Sequence, residues 1–215
     1  MMLESLRDEV LVMNHELPRN NLVVWSGGNV SGRDPDSGLI VIKPSGIPFQ
    51  HLTKESLVVV DLDGMVVEGD LKPSVDLGVH LYVYRRRDDV MGMCHTHSPY
   101  ATSFAARGES IPATLTPLTH LIGGGVPCSR YATPGAEDTG AAVMEVAGDS
   151  GMATLVDRHG VFTMGRSASE SVKIALHVEE AAMTIRMALL SGPVTEMDPA
   201  EIERCAMWYR GNYGQ

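Results

Sequence analysis

The chain has 215 residues, of which 44% are hydrophobic and 20% are charged. This composition is typical of a globular protein and excludes disordered, collagen-like and coiled-coil chains. The length favours one domain spanning residues 1–215, which buries enough surface to fold without disulfides or a structural metal. The formal net charge of −10 opposes binding to nucleic acid or to anionic lipid, so we expect neither as a partner.

The cysteine content and the N-terminal sequence bear on the compartment. The three cysteines, Cys94, Cys128 and Cys205, show no CxxC spacing, which favours a reducing environment. The first ten residues carry acidic side chains and lack the apolar segment of a signal peptide. No apolar run approaches the roughly 20 residues that span a bilayer. We therefore expect a cytoplasmic protein.

Hydrophobic periodicity predicts the secondary structure. Apolar residues at helical spacing near the N-terminus predict an amphipathic helix, and residues 25–31 then pass through a glycine-rich stretch. Two β-branched runs around Asp63-Gly64 predict a hairpin. The other predicted elements are strands at 38–43, 89–97, 126–131, 153–157 and 160–164, and helices at 77–87, 100–106, 137–147, 167–190 and 199–209. Hairpins interspersed with helices predict a single α/β domain, whose mostly antiparallel central sheet is covered by helices on both faces.

Three histidines form a candidate metal site. His95 and His97 alternate at the end of an apolar strand, so their side chains share one face and can chelate one cation. His159 lies between two apolar runs, where a sheet end is expected. Three neutral imidazoles leave a position open for substrate, as in catalytic metal sites. The alternatives are that His95 and His97 are core or surface histidines that bind no metal, and that His159 is an ordinary turn residue.

Asp76 stands where the helix at 77–87 begins. One interpretation is an N-cap that accepts a hydrogen bond from the first turn. The alternative is a carboxylate aimed at the metal, and both are compatible in different ligand states. His80 follows one helical turn later, and we expect it to support the metal ligands from behind or to serve in packing, rather than to bind the metal itself.

Short glycine-rich segments supply candidate phosphate donors. Gly27-Gly28-Asn29 combines close backbone access with a short polar side chain. Lys43, Ser45 and Gly46 add a cation, a hydroxyl and another glycine, and Ser74 adds a second hydroxyl. Ordinary turns explain each segment alone, but together they provide the N–H, O–H and ammonium donors that hold a phosphate dianion.

The order of these motifs resembles the class II aldolase/adducin family, which includes L-ribulose-5-phosphate 4-epimerase and L-fuculose-phosphate aldolase. The Lys43-to-Gly46 segment and the terminal Tyr213-Gly214-Gln215 look more like the epimerase branch. The motifs that carry the resemblance are Gly27-Gly28-Asn29-Val30-Ser31, Ile42-Lys43-Pro44-Ser45-Gly46, Lys72-Pro73-Ser74, Asp76, His95-Thr96-His97-Ser98, Ile111-Pro112-Ala113-Thr114, Val126-Pro127-Cys128 and His159-Gly160.

The resemblance implies a role for each matching residue. His95, His97 and His159 match zinc ligands, Asp76 matches the acidic residue beside the metal, and Tyr213 matches an acid/base that reaches the neighbouring subunit. Mn²⁺ or Co²⁺ are alternatives to Zn²⁺. The family's C4 homotetramer, with sites between subunits, is expected here. The positions that match phosphate-binding residues are Asn29, Lys43, Ser45, Gly46 and Ser74.

Two positions depart from the epimerase pattern: His120 replaces an acid/base aspartate, and Val75 replaces a second phosphate-site serine. An imidazole can both accept and donate a proton, so His120 is a candidate proton carrier. The resemblance implies a zinc-dependent 4-epimerase of a ketose phosphate, which acts by retro-aldol cleavage through a metal-stabilised enediolate. Alternatives are an L-fuculose-phosphate-type aldolase releasing dihydroxyacetone phosphate and a small aldehyde, a keto-acid phosphate decarboxylase, and a non-catalytic adducin-like scaffold.

Overall fold

The computed structural model describes residues 1–135 and 137–212, except for the side chain of Arg210. None of the helices in this part of the chain is long and apolar enough to cross a membrane. The helices are α1 (Glu4–Arg19), α2 (Leu77–Tyr84), α3 (Pro99–Ala105), α4 (Thr116–Ile122), α5 (Glu137–Ala147), α6 (Ala168–Leu189) and α7 (Pro199–Asn212), with a short 3-10 helix at Phe49–His51.

Eight strands form one sheet in the order β4-β3-β2-β1-β5-β8-β7-β6. All neighbouring strands are antiparallel except β6 and β7, which are parallel. The predicted α/β class with a mostly antiparallel sheet is therefore confirmed. The strands are β1 (Asn29–Arg33), β2 (Ile40–Ile42), β3 (Val58–Val60), β4 (Val66–Glu68), β5 (Gly92–Thr96), β6 (Cys128–Ser129), β7 (Ala153–Val156) and β8 (Gly160–Gly165).

Helices cover both faces of the sheet, as the sequence predicts. Ile40 and Ile42 of β2 pack with apolar side chains of α2 and α5 on one face. Val41, which points the other way, packs with side chains of α1 and α6. Because side chains alternate along a strand, even the short strands contribute to both cores.

The structure contains elements that the sequence analysis did not predict. The glycine-rich stretch before residue 31 leads directly into β1, whose buried residues Asn29 and Ser31 are polar and give no apolar signal. Helix α4 was not predicted at all. The N-cap of α6 is Ser167, whose Oγ accepts the Glu170 N–H at 3.0 Å. Ser169, two residues further along, donates to Glu9 through its main-chain N–H and its hydroxyl.

Candidate functional site

The three predicted histidines lie together at one end of the sheet. His95 is in β5, His97 follows that strand, and His159 lies in the turn between β7 and β8. Because Thr96 pairs with Val161 across β5 and β8, this turn stands beside the end of β5. One nitrogen from each ring lies within 4.8 Å of the other two. The sheet topology therefore brings three histidines from two parts of the chain close together.

Hydrogen bonding and burial prepare these rings to bind a cation. His95 Nδ1 lies 2.9 Å from the Val161 carbonyl oxygen, which can only accept, so Nδ1 carries the proton and Nε2 keeps its lone pair. Phe162 stacks on this ring at 4.1 Å. His159 Nδ1 is buried with no hydrogen-bond partner among the described residues. A buried nitrogen without a hydrogen-bond partner fits a group that binds a metal ion.

The imidazoles are neutral at physiological pH. Burial lowers the pKa of His95 to about 3, although the Asp76 carboxylate opposes the shift. The pKa of His159 is also lowered by burial. Desolvation by the surrounding protein lowers the pKa of His97 in the same way, although its ring lies at the exposed rim. Neutral imidazole is the form that binds Zn²⁺, so the donor set fits a divalent cation without first losing protons.

Asp76 occupies the N-cap position of α2, but its side chain makes no capping hydrogen bond. Its Oδ2 instead accepts a hydrogen bond of 2.8 Å from Asn29 Nδ2. Burial favours a raised pKa for this carboxyl, but the imidazoles of His95 and His80 and the Asn29 bond outweigh burial and lower it. Asp76 is not part of the three-histidine cluster, so its role as a further ligand stays a prediction.

His80 lies one turn along α2 and is fully buried. Its Nδ1 is 2.7 Å from Ser31 Oγ, which in turn lies 2.8 Å from the Tyr84 hydroxyl. Asn29 and Ser31 therefore hold Asp76 and His80, respectively, across the same β1–α2 contact. The structure gives His80 a packing environment, as expected from the sequence.

The buried state of His80 predicts acid sensitivity. Burial lowers its pKa from 6.5 to about 4, with Asp76 offsetting part of the shift. The unfolded chain binds the extra proton below pH 6.5, so stability falls as pH falls from there towards about 4. By about pH 5 this histidine costs about 2 kcal/mol. The free energy of unfolding is measured with urea at about pH 7 and about pH 5. Between these pH values it should fall by about 2 kcal/mol less in His80→Gln than in wild type. An equal fall in both proteins contradicts a neutral, buried His80.

A cavity of about 230 Å³ joins the histidines to the predicted phosphate donors. Asp76 and Val75 lie on its wall. The predicted metal ligands and the predicted phosphate donors, which come from separate parts of the sequence, thus line one cavity. The predicted residues that line this cavity are Asn29, Lys43, Ser45, Gly46, Ser74, Asp76, His95, His97 and His159.

Lys43 is the cation of this cavity, and only 2% of it is exposed. Its ammonium donates to the carbonyl oxygens of Ser26 at 3.1 Å and Pro44 at 3.3 Å, and lies 4.9 Å from the centre of the Phe49 ring. Burial lowers its pKa to about 8, with Asp76 opposing the shift. Main-chain carbonyls thus hold the ammonium without neutralising it, so its charge is available to an anion.

Main-chain pairing brings the two loops of the phosphate donors together. The Ser74 N–H donates to the Lys43 carbonyl oxygen at 3.0 Å, and the Ser45 N–H donates to the Lys72 carbonyl oxygen at 2.9 Å. Pro44 and Pro73 form an isolated bridge between them. Sequence reasoning missed the carbonyl of Ser26 and the wall formed by Pro134. No local motif could have indicated either residue, because both act through their place in the fold.

His120, one of the two predicted proton carriers, does not line this cavity. His120 lies in α4, with its ring 5.7 Å from Tyr209 and 6.1 Å from Trp208. It lines a different cavity of about 520 Å³, which Tyr209 also lines. Tyr213 lies outside the described residues. The proton-carrier roles of His120 and Tyr213 both stay predictions.

Gly160 gives a direct test of the histidine cluster. A Cβ at this position would lie 2.5 Å from the Thr96 carbonyl oxygen and 2.9 Å from His97 Cδ2. Gly160→Ala should therefore shift the imidazoles and weaken zinc binding by about 10-fold or more, as measured by competition with a chromophoric chelator. Gly124→Ala is the control, because its Cβ meets nothing within 4 Å. Equal zinc affinity in both variants contradicts the proposed packing.

A known protein family matches most of this chain. The family described as Class II Aldolase and Adducin N-terminal domain matches residues 8–185. The chain belongs to the class II aldolase/adducin family. The resemblance inferred from its motifs is therefore confirmed, and the cavity at the end of β5 is a cavity of a class II aldolase/adducin domain.

Several solved structures share most of this fold. An L-fuculose 1-phosphate aldolase is 28% identical, with a TM-score of 0.93 and 98% of each chain covered. YgbL from Escherichia coli, described as a putative aldolase/epimerase/decarboxylase, is 26% identical, with a TM-score of 0.83 over 94% of this chain and 98% of that one. The L-fuculose-1-phosphate aldolase from Thermus thermophilus is also 26% identical, with a TM-score of 0.75 over 89% and 98% of the two chains.

Proposed function

We propose that this class II aldolase/adducin domain is a metal-dependent epimerase or aldolase of a phosphorylated ketose, with L-ribulose-5-phosphate 4-epimerase as the nearest activity. One observation carries the proposal: three imidazoles with nitrogens within 4.8 Å of one another share a cavity with a buried lysine and two serines. The three imidazoles fit a cation, and the lysine and serines fit a phosphate. A sugar phosphate presents both kinds of group.

His95, His97 and His159 would hold the cation. Three nitrogen ligands suit Zn²⁺, with Mn²⁺ or Co²⁺ as alternatives. When bound, such a cation supplies a Lewis acid that stabilises negative charge developing on a substrate oxygen. The main-chain carbonyl of Val161 fixes the orientation of the His95 ring, and Phe162 restricts its tilt.

The phosphate would bind at the other end of the cavity. Lys43 brings an ammonium charge that the carbonyl oxygens of Ser26 and Pro44 hold in place, and Ser45 and Ser74 bring hydroxyl donors. Gly46 has φ of +70°, and no atom lies within 4 Å of the point where a Cβ would stand, so its main chain is open to a close approach by an anion. Charge-assisted hydrogen bonds of this type are roughly twice as strong as neutral ones.

Proton transfer needs groups that hold a proton at different points of the sugar. The retro-aldol step removes the proton of the C4 hydroxyl as the C3–C4 bond breaks. Asp76, ionised and buried in the cavity, is the proposed acceptor for a substrate hydroxyl proton. His120 and Tyr213 are proposed to serve the two faces of the aldehyde from a neighbouring subunit of a C4 homotetramer. The placement of His120 away from its own chain's cavity supports that arrangement.

Two further activities have specific support. The 28% identity over 98% of the chain to an L-fuculose 1-phosphate aldolase favours aldehyde release as the second candidate. The likeness to YgbL, whose description includes decarboxylase, supports a keto-acid phosphate as a third. An adducin-like scaffold would not need the buried Lys43 and Asp76 around an unused cavity, because burying unused charges is costly.

A panel of phosphorylated substrates tests the proposal. The purified protein is loaded with Zn²⁺ and incubated with L-ribulose 5-phosphate, L-fuculose 1-phosphate and a keto-acid phosphate, and products are followed by NMR. Epimer formation from L-ribulose 5-phosphate is the expected result. Dihydroxyacetone phosphate with free aldehyde would assign the aldolase instead, and release of CO₂ would assign the decarboxylase. A protein that binds no stoichiometric metal and converts nothing is a scaffold.

A further inference from the structure

Helix α3 begins two residues after His97, and a carboxylate from another helix caps its first turn. The Tyr100 N–H donates to Glu179 Oε1 at 2.9 Å, and the Ala101 N–H donates to Glu179 Oε2 at 2.8 Å. Glu179 lies in α6, more than 70 positions further along the chain. One side chain of α6 thus accepts two main-chain hydrogen bonds beside the candidate metal site.

These two bonds complete the hydrogen bonding of the first turn of α3. Pro99, the first residue of the helix, has no N–H to satisfy. The Thr102 N–H donates to the Ser98 carbonyl oxygen at 2.9 Å, in the usual helical pattern. The two N–H groups between Pro99 and Thr102 have no partner within the helix, and both donate to Glu179. The start of α3 therefore depends on a group outside the helix.

Ser98, the N-cap residue, does not supply this cap itself. Serine is a preferred N-cap because its hydroxyl can accept a hydrogen bond from the first turn, but the Ser98 side chain makes no such bond. Its Oγ instead lies 3.5 Å from Thr96 Oγ1. Ala101 is fully buried, so its N–H would have no partner if the Glu179 carboxylate were removed. The turn would then have to shift to regain one.

His97 lies directly before this turn. Its own N–H donates to the Leu22 carbonyl oxygen at 3.2 Å, and the next residue, Ser98, is the N-cap of α3. His97 is exposed at the rim of the cavity, whereas His95 is buried in β5 and stacks on Phe162. Packing therefore constrains the His97 ring less than the His95 ring, and the place of the His97 ring depends more on the main chain.

We propose that Glu179 is a positioning residue for His97: its carboxylate fixes the start of α3 and, through it, the main chain from which His97 reaches the cation. This inference rests on the proposed function in one respect, namely that His97 binds a metal. Partners that orient metal ligands change metal affinity by roughly 10- to 100-fold when they are lost. Loss of the Glu179 carboxylate should therefore weaken metal binding, beyond any effect on stability.

Arg186 ties the other end of α3 to α6 and is the matched control. Its Nε and Nη2 donate to the hydroxyl and carbonyl oxygens of Ser103, each at 2.8 Å. Its guanidinium carbon lies 3.7 Å from the centre of the Phe104 ring. Arg186 and Glu179 are both charged, partly buried residues of α6 that bind α3, but Arg186 contacts the end of α3 that lies away from His97.

Zinc affinity and melting temperature are measured for three alanine variants. Glu179→Ala should weaken zinc binding by about 10-fold or more in competition with a chromophoric chelator, and lower the melting temperature by about 2–4 °C. Arg186→Ala should also lower the melting temperature, while its zinc affinity stays within about twofold of wild type. Glu180→Ala removes the same charge from the exposed neighbouring position and should change neither quantity.

A conservative variant and a crystal structure complete the test. Glu179→Gln should bind zinc with an affinity between those of Glu179→Ala and wild type, because its carboxamide oxygen can keep one of the two bonds. It also replaces Glu179→Ala in every comparison if the alanine variant does not fold. In metal-free crystals of either Glu179 variant, the His97 ring should be displaced from its wild-type position.

The outcomes separate this inference from the proposed function. Wild-type zinc affinity in the Glu179 variants, or an equal loss of affinity in Arg186→Ala, would overturn the inference, because the cap would then contribute only to packing. If the wild-type protein binds no zinc, the metal site of the proposed function fails. The metal-free crystal structures then still decide the role of Glu179, and an unmoved His97 would overturn it.

Discussion

Replacing His97 by alanine should remove the bound divalent cation and lower turnover by more than about 100-fold, the upper end of the loss caused by changing an outer-shell partner of a metal. Two imidazoles would remain, and a three-ligand catalytic site depends on all three. His97 is the most suitable of the three for this test, because it lies at the exposed rim while His95 is buried. The fold should therefore survive the change.

Metal content by plasma mass spectrometry, alongside the melting temperature, measures the effect of His97→Ala. The matched control is His51→Ala, which removes an exposed histidine from the 3-10 helix, outside the cluster. It should retain one metal per chain and full turnover. A His97→Ala protein that still binds one equivalent of metal as tightly as wild type refutes the ligand assignment.

Replacing Lys43 by methionine should raise KM for the phosphorylated substrate by about 30-fold or more, since removing one partner of a buried charge pair costs about 2–5 kcal/mol. Lys43 is 2% exposed and lines the cavity, and its ammonium donates to two main-chain carbonyl oxygens. Turnover at saturation should change much less than KM, because the proposed function places the reacting carbons at the histidine end of the cavity. Steady-state kinetics over a wide substrate range separates the two effects.

Lys72→Met is the control for Lys43→Met. Lys72 is exposed, lies in the same pair of loops, and does not line the cavity. Its loss should change KM by a factor of about two or less, because exposed ion pairs contribute little. The pH dependence adds a second check. With the pKa of Lys43 lowered to about 8, wild-type phosphate affinity should fall as pH rises through that value. Equal KM values in Lys43→Met and wild type would exclude the lysine from the phosphate site.

The sequence predicted best where local pattern and tertiary structure agree. Asp63-Gly64 between β-branched runs indicated the β3–β4 hairpin, and Gly64 has the positive φ of +86° that such a turn uses. The alternation of His95 and His97 at the end of an apolar run located the end of β5. In both cases neighbouring residues carry the whole signal.

The sequence failed where burial is polar or where partners are distant. Strand β1 places Asn29 and Ser31 in the interior, and their value lies in contacts with Asp76 and His80, more than 40 positions along the chain. No periodicity reveals such pairs. The N-cap expectation for Asp76 was a correct position with a wrong partner, because the Asn29 amide competes for the carboxylate.

The central claim is that His95, His97 and His159 bind one catalytic cation. A crystal structure of the zinc-loaded protein, with anomalous data collected at the zinc edge, tests it most directly. We expect one anomalous peak per chain, within bonding distance of a nitrogen from each of the three rings. A peak bound elsewhere, or three rings that bind no metal at saturating zinc, would contradict it.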